Sequence, residues 1–138
     1  MPKIGLEIHG YIDTNEKLFC TCKAEHGLKF FKPNINICPI CTGQPGCKPM
    51  LPNTEAVRKI IQIALILGCK INEQFIFQRK HYDWPDLPKE FQNTISGAYA
   101  IPVGVNGKFE GIGITEVHLE EDPAAWNPQT GEIDYNRS

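Results

Sequence analysis

Residues 53–68 read NTEAVRKIIQIALILG, and they decide the fold because they predict one long helix over residues 54–67. Asn53 is a favourable N-cap, Glu55 places an anion in the first turn, and Gly68 supplies a left-handed stop. Apolar residues at helical spacing form a main stripe, and Ile63, Ile66 and Leu67 widen it. We therefore expect a mostly buried helix packed against a sheet.

Alternating apolar and polar residues predict strands on both sides of this helix. We expect strands over residues 3–12, 74–80, 99–105 and 108–121, with a final short strand near 132–135. Asn106-Gly107 predicts a two-residue hairpin turn, and a change of apolar phase predicts a bulge near Thr115-Glu116. The chain is therefore expected to be an α+β domain with a mixed or antiparallel sheet.

Length and charge narrow the class of protein. The chain has 138 residues, which suit one domain, and its 41% hydrophobic and 22% charged residues are typical of a globular fold. A formal net charge of -2 argues against a protein that holds nucleic-acid backbones unaided. The sequence has neither an apolar run of membrane-spanning length nor a leader-like start, so a cytoplasmic protein without a membrane partner is expected. The polar, turn-competent residues 134–138 suggest one end of a longer protein.

The cysteine spacing predicts a structural zinc site. Two close pairs, Cys20 with Cys22 and Cys38 with Cys41, are separated by a loop of fifteen residues. Each pair can supply two thiolates from one turn, and the loop between them closes a tetrahedron. The alternative is four reduced thiols without a metal. Cys47 and Cys69 fall outside this pattern, and each is expected to be a small buried hydrophobic residue. The metal would also explain how a stretch rich in Pro and Gly stays ordered with little secondary structure.

Two segments far apart in the sequence combine carboxylates with imidazoles. In a strand over residues 3–12, Glu7 and His9 would share one face. The second segment places four ionisable groups within five residues: His118, Glu120, Glu121 and Asp122. Such groups are costly to bury unless they meet a cation or solvent, and carboxylates with a few imidazoles suit Mg²⁺. Solvated groups with a purely structural role are the alternative.

The loop that follows the predicted strand 74–80 is rich in cations and aromatic residues. Together with the end of that strand, it contains Arg79, Lys80, His81, Asp83, Trp84, Asp86 and Lys89. Cations and aromatic rings together suit a nucleotide, and a solvated loop pinned by aromatic side chains explains the same composition. Composition alone leaves both interpretations open.

Several motifs follow one another along nearly the whole chain: Ile4-Gly5-Leu6-Glu7-Ile8-His9, Lys17-Leu18-Phe19-Cys20-x-Cys22, Asn36-Ile37-Cys38-Pro39-Ile40-Cys41-x-Gly43-x-Pro45-Gly46, Arg79-Lys80, Pro85-Asp86-Leu87-Pro88-Lys89 and His118-Leu119-Glu120-Glu121-Asp122. In this order they closely resemble the B subunit of the aspartyl/glutamyl-tRNA amidotransferase, in its cysteine-containing form.

The resemblance implies a fold and a reaction. Residues 1–138 would be the N-terminal part of a cradle-shaped, kinase-like α+β domain with a zinc-binding insertion at residues 20–41. The helical region and the tRNA-binding tail of relatives would be absent. The family phosphorylates the side-chain carboxylate of Glu or Asp misacylated on tRNA, using ATP and Mg²⁺. Ammonia from a partner amidase, the A subunit, then displaces the phosphate, and a small C subunit completes the assembly.

The resemblance also assigns residues to this reaction. It implies that catalysis and Mg²⁺ binding fall to four side chains: Glu7, His9, Glu120 and Glu121. It implies supporting roles for His118 and Asp122 in the cofactor site, and phosphate contacts for Lys80 and Lys89. Because neighbouring residues of a strand point to opposite faces, Glu120 and Glu121 can both bind one ion only if the strand bends.

A second function of a different class stays open at this stage. The chain would then be a non-catalytic, zinc-stabilised nucleotide- or RNA-binding module derived from the same fold. Departures from the usual motif favour it, because His81, Asp83 and Asn93 change charge or polarity in the loop that the resemblance places near the active site.

Overall fold

The computed structural model describes residues 1–25, 32–87 and 89–137. One helix and seven short strands are assigned there: α1 (Thr54–Ile66), β1 (Lys70–Ile71), β2 (Gln78–His81), β3 (Phe91–Thr94), β4 (Gly104–Phe109), β5 (Ile112–Val117), β6 (Ala125–Trp126) and β7 (Ile133–Asp134). The strands form three small antiparallel sheets in the orders β1-β4-β5, β2-β3 and β6-β7. The predicted α+β class is confirmed. Within the described part of the chain, no helix has the length and apolar character needed to cross a membrane.

The helix begins and ends almost where the sequence predicts. The Asn53 side chain accepts hydrogen bonds from the backbone N–H groups of Glu55 and Ala56, and Gly68 has a φ of 67°. The buried face of the helix is narrower than expected, because Ile63, Leu65 and Ile66 are exposed. The prediction of a mostly buried helix is therefore wrong for the face that carries these three side chains.

The core lies where the helix meets the β1-β4-β5 sheet. It consists of Ile60, Ala64, Cys69, Ile95, Val103, Val117 and Leu119. A Cβ on Gly104 would lie 3.1 Å from the Cβ of Ala64, and a Cβ on Gly107 would lie 2.5 Å from the Cys69 sulfur. The helix and the following turn can approach β4 this closely because both positions are glycine.

The β4–β5 hairpin turns later than predicted. Asn106 and Gly107 lie inside β4, and the chain reverses at Glu110-Gly111, where φ is 47° and 82°. Positive φ at both central residues is the requirement of the twisted two-residue turn that hairpins favour. The pairing keeps one register from Gly104↔Val117 to Phe109↔Ile112, so the predicted bulge near Thr115-Glu116 is also wrong.

The β2–β3 sheet continues towards the segment around residue 120. The predicted strand 74–80 begins later, at Gln78, while Ile76 forms an isolated bridge with Ile101. Thr94, the last residue of β3, forms an antiparallel bridge with Glu120. Opposite residues of an antiparallel pair share a face, so Lys80 lies on the face of Gln92, and Arg79 lies on the face of Asn93.

The strand predicted for residues 3–12 is not formed. Residues 1–10 are exposed and no strand is assigned to them, with Ile4, Leu6 and Ile8 each more than 80% exposed. A strand persists only when a neighbour pairs its backbone groups and its apolar side chains have a surface to cover. Periodicity alone therefore does not make this segment a strand.

Irregular chain surrounds the cysteines, as predicted, and residues 26–31 of this region lie outside the described part. Asparagine side chains join residues 32–36 to residues 133–136. Asn34 donates to the Ile133 carbonyl at 2.9 Å, and the Asn136 side chain accepts from the Asn36 N–H and donates to the Lys32 carbonyl. Two segments about a hundred residues apart are thereby held together. The predicted final strand near 132–135 is β7, which lies in the second of these segments.

Candidate functional site

The four predicted cysteine ligands meet in space. The sulfurs of Cys20, Cys22, Cys38 and Cys41 all lie within 4.8 Å of one another. Among the described residues, this is the one group of three or more His, Cys, Asp or Glu side chains whose ligand atoms are so gathered. Four thiolates about 2.3 Å from a tetrahedral zinc ion would lie about 3.8 Å apart, so the cluster fits such an ion.

Backbone hydrogen bonds shape both cysteine turns. On one side, Lys17 N–H donates to the Cys22 carbonyl at 3.0 Å. On the other side, the Cys38 carbonyl accepts from the Thr42 N–H at 3.1 Å and the Thr42 hydroxyl at 2.8 Å, and the Cys38 N–H donates to the Cys41 sulfur at 3.2 Å. An N–H that points at a sulfur favours the thiolate, which is the form that binds metals.

A buried lysine faces the cluster. Lys17 is only 6% exposed, and its ammonium donates to the Cys41 sulfur at 3.4 Å and to the Tyr135 carbonyl at 2.6 Å. A buried ammonium is costly unless a negative partner offsets its charge, and a thiolate is such a partner. Sequence reasoning missed Lys17, although its position three residues before Cys20 is a signal that can be read.

The cysteine thiols of this cluster differ in pKa. The hydrogen bond from Cys20, followed by the Cys38 N–H and the Lys17 ammonium, lowers the pKa of Cys41 to about 4. The same hydrogen bond and burial raise the pKa of Cys20, and burial raises the pKa of Cys22 to about 11. Metal binding must therefore displace protons from some of these thiols, which makes affinity depend on pH.

The two unassigned cysteines differ from each other. Cys69 is buried in the core at 7% exposure, as expected for a small hydrophobic residue, and burial raises the pKa of its thiol. Cys47 is exposed, so the expectation that it too is buried is wrong.

The carboxylates at residues 120 and 121 lie beside β3 and have different partners. The Thr94 hydroxyl donates to Glu120 at 2.5 Å, with the Gln92 amide 3.5 Å away. Glu121 is buried and accepts from the Asn93 N–H at 2.8 Å and from the Asn93 side-chain amide at 3.3 Å. Because Gln92 and Thr94 share one face of β3 and Asn93 lies on the other, the two carboxylates are separated as strand geometry requires.

Glu121 forms a buried ion pair with Lys89. Their charged atoms are 2.5 Å apart, and each side chain is 9% exposed. Phe91 lies beside this pair, with the Lys89 ammonium 5.1 Å and the Arg79 guanidinium 4.5 Å from its ring centroid. The His81 ring lies beside the same ring at a tilt of 57°, with the two centroids 6.0 Å apart. Three nitrogen-bearing side chains therefore surround one aromatic ring next to a buried carboxylate.

Further acidic groups lie, with Glu120 and Glu121, around Tyr82. Burial raises the pKa of Asp122 to about 6, with Arg137 opposing the shift and Asp86 adding to it. Burial, followed by the charges of Asp86, Glu120, Glu121 and Asp122, raises the pKa of Tyr82. One oxygen of Asp86, Oδ1, is buried without a hydrogen-bond partner in the described chain. The carboxylates therefore concentrate negative charge that a cation would relieve.

The remaining predicted residues are distributed over different surfaces. Glu7 and His9 contact each other at 3.4 Å, but their side chains are 85% and 74% exposed. His118 pairs with Glu116 at 2.5 Å, and Lys80 is exposed on β2. Glu7 and His9 do not form one cluster with Glu120 and Glu121 among the described residues, and their shared role in metal binding stays a prediction.

Sequence reasoning missed the residues that hold the carboxylates. Gln92, Asn93 and Thr94 supply the donors, and all three are buried. In the sequence only Asn93 stands out, as a departure from a motif, and the pairing of β3 with residue 120 is what reveals the function of all three. A run of three polar residues between Phe91 and Ile95 is the signal that was available.

Comparison with known protein families matches residues 2–138 to the GatB/GatE catalytic domain. The chain belongs to this family. Among curated relatives named as the B subunit of aspartyl/glutamyl-tRNA(Asn/Gln) amidotransferase, the chain is 54% identical to that of Methanocaldococcus jannaschii, 53% to that of Methanococcus maripaludis strain C5 and 48% to that of Methanopyrus kandleri. Each match covers 99% of this chain and 28% of the relative. The GatB/GatE domain described here thus spans less than a third of those proteins, and the resemblance drawn from the motifs is confirmed.

Proposed function

We propose that this domain activates a carboxylate with ATP as part of a tRNA-dependent amidotransferase. The substrate is the Glu or Asp side chain of a misacylated tRNA. One observation carries the proposal: in a GatB/GatE catalytic domain, three nitrogen-bearing side chains surround the Phe91 ring, and one of them, Lys89, is paired with a buried carboxylate. The domain works in the cytoplasm with an amidase and a small third subunit.

The chemistry requires activation because a carboxylate is a poor acyl donor. Its oxygen attacks the γ-phosphorus of ATP, the bond to ADP breaks, and an acyl phosphate forms. Ammonia then attacks the carbonyl carbon, the C–O bond to the phosphate breaks, inorganic phosphate leaves with the electron pair, and the nitrogen loses a proton to give the amide. Phosphoryl transfer depends on in-line positioning and on positive charge around the transferred group. Mg²⁺ supplies part of that charge when it is bound.

The ion pair suggests how the domain uses Lys89 and Glu121. Each neutralises the other while no nucleotide is bound, with a charge separation of 2.5 Å. A phosphate group would attract the Lys89 ammonium, and the released Glu121 carboxylate would face the accompanying cation. The neighbouring Arg79 adds a second cation on the same face. Exchange of partners avoids an uncompensated buried charge at either stage.

Lys80, Glu120 and Thr94 belong to the opposite face of the β2–β3 sheet. Glu120 is held by the Thr94 hydroxyl at 2.5 Å. We assign Lys80 to a phosphate contact and Glu120 to the cation, with His118 and Asp122 as supports. Because Glu120 and Glu121 lie on opposite faces, this assignment requires the chain to bend between them when the cation binds. Glu7 and His9 complete the ligand set in this proposal, which requires their exposed segment to fold over the site when substrate binds.

The ion proposed for the cysteine cluster is zinc, in a structural role. Four thiolates with sulfurs within 4.8 Å of one another suit a closed tetrahedral site, which leaves no coordination position for substrate. Cys20 and Cys41 are buried and Cys22 and Cys38 are partly buried, which supports a structural role.

Calorimetric titration with ATP tests the proposed function. We expect the zinc-loaded chain to bind ATP only in the presence of Mg²⁺. Lys89→Met and Glu120→Gln should each weaken this binding at least about tenfold. Glu132→Gln, at an exposed position, should leave it unchanged. No heat at millimolar nucleotide would refute ATP binding and favour the non-catalytic module. Equal binding by all variants would refute the residue assignment.

A further inference from the structure

The turn that carries Cys38 and Cys41 touches Lys89. Gly43 ends this turn with a φ of 65°, and its N–H donates to the Ile40 carbonyl at 3.0 Å. A Cβ built on Gly43 would lie 2.6 Å from the Cβ of Lys89 and 3.2 Å from its Cδ. The aliphatic part of Lys89 therefore lies directly against the backbone of Gly43.

Lys89 is restrained on its other sides as well. Its ammonium is paired with Glu121 at 2.5 Å and lies 5.1 Å from the Phe91 ring centroid. A free lysine side chain loses much rotational entropy when it is held in one place, so each surface that confines it contributes to its position. Gly43 is the confining surface that comes from the cysteine region.

We propose that the metal-bound turn over residues 38–43 positions Lys89, and that Gly43 is the positioning residue. A metal ion on Cys38 and Cys41 holds the turn in one conformation. The turn then restrains the aliphatic part of the Lys89 side chain. This coupling is reciprocal, so a well-placed Lys89 also favours the metal-bound turn. The consequence for catalysis rests on the proposed function, in which Lys89 contacts phosphate.

The chain offers a matched pair of glycines for the test. Gly43 and Gly46 both have positive φ, 65° and 84°, so alanine strains the backbone at either position. A Cβ on Gly46 meets nothing within 4 Å, whereas one on Gly43 meets Lys89. The difference between Gly43→Ala and Gly46→Ala therefore isolates the contact with the lysine.

The measurement is acetylation of Lys89 by limiting acetic anhydride, quantified by mass spectrometry against the exposed Lys70. With metal content confirmed in each sample, we expect Gly43→Ala to raise the Lys89:Lys70 ratio about tenfold and Gly46→Ala to leave it at the wild-type value. Equal ratios in the two variants would overturn the proposal.

Reciprocity gives a second measurement that does not require Gly43→Ala to fold. Lys89→Ala should raise the metal dissociation constant at least about fivefold, and Lys70→Ala should not change it. An unchanged constant in Lys89→Ala would also overturn the proposal. Neither experiment uses nucleotide, so a chain that passes both and still fails to bind ATP would refute the proposed function and leave the positioning role of Gly43 intact.

Discussion

The buried ion pair between Lys89 and Glu121 yields the sharpest prediction of stability. Each side chain is 9% exposed and the charges are 2.5 Å apart, so removing one partner leaves the other charge in a poorly solvated site. Such changes cost about 3–5 kcal/mol. Glu121 keeps two hydrogen bonds from Asn93, which argues for the lower end. We expect Lys89→Met and Glu121→Gln each to lower the free energy of unfolding by about 3 kcal/mol.

A double-mutant cycle separates the pair from the effects of each substitution alone. The variant with both changes should be more stable than the sum of the single losses implies, by a coupling of about 2 kcal/mol. Urea denaturation followed by circular dichroism, with zinc present throughout, measures all four proteins. The pair Glu55 and Lys59, at 3.0 Å and four residues apart on α1, is the matched control because its side chains are 40% and 31% exposed, and it should couple by only about 0.3–0.5 kcal/mol. Single losses below about 1 kcal/mol that simply add would refute the buried pair.

Other predictions concern the metal site, the core and the acidic cluster. Lys17→Met should weaken zinc binding about 10–100-fold in a chelator competition, because the ammonium beside the thiolates is lost, while Lys48→Met should not. Gly107→Ala should lower the free energy of unfolding by about 2–3 kcal/mol, since its Cβ would overlap the core, whereas Gly113→Ala, in open space, should change it by less than about 0.5 kcal/mol. Burial raises the pKa of Asp122 from 3.8 to about 6, so the folded chain holds this proton more tightly and stability should fall as pH rises through that window. Asp122→Asn should reduce this pH-dependent loss of stability by about 1–2 kcal/mol, as measured by urea titrations at a pH below and a pH above the window. A pH profile of stability that is the same in the variant would contradict this role of Asp122.

The sequence predicts those features that rest on local chemistry. The helix is set by a side-chain cap at Asn53 and a left-handed stop at Gly68, both of which act within one turn of the chain. The cysteine cluster is predictable for a similar reason, because ligand spacing restricts the geometry before any other contact is known.

Features that depend on distant partners were not predictable from local patterns. Asn106-Gly107 has the ideal composition for a hairpin turn, but Gly107 is needed where β4 approaches Cys69, so the chain turns at Glu110-Gly111 instead. Residues 3–12 alternate as a strand should, yet no strand is assigned to them in the part of the chain that the structure describes. The donors around Glu121 come from Asn93, 28 residues away, and no spacing rule connects the two positions.

The asparagine bonds between residues 32–36 and 133–136 have a consequence for the order of events during synthesis. A ribosome that adds about 5–20 residues per second releases the last cysteine ligand several seconds before the residues that pin its loop. The hydrogen bond from the Asn36 N–H to the Asn136 side chain can form only after Asn136 has been synthesised, because the two residues are 100 positions apart. In the proposed zinc-bound form, the ion would join the two cysteine turns during that interval, so synthesis under zinc limitation should make these turns more susceptible to proteases until Asn136 has been added.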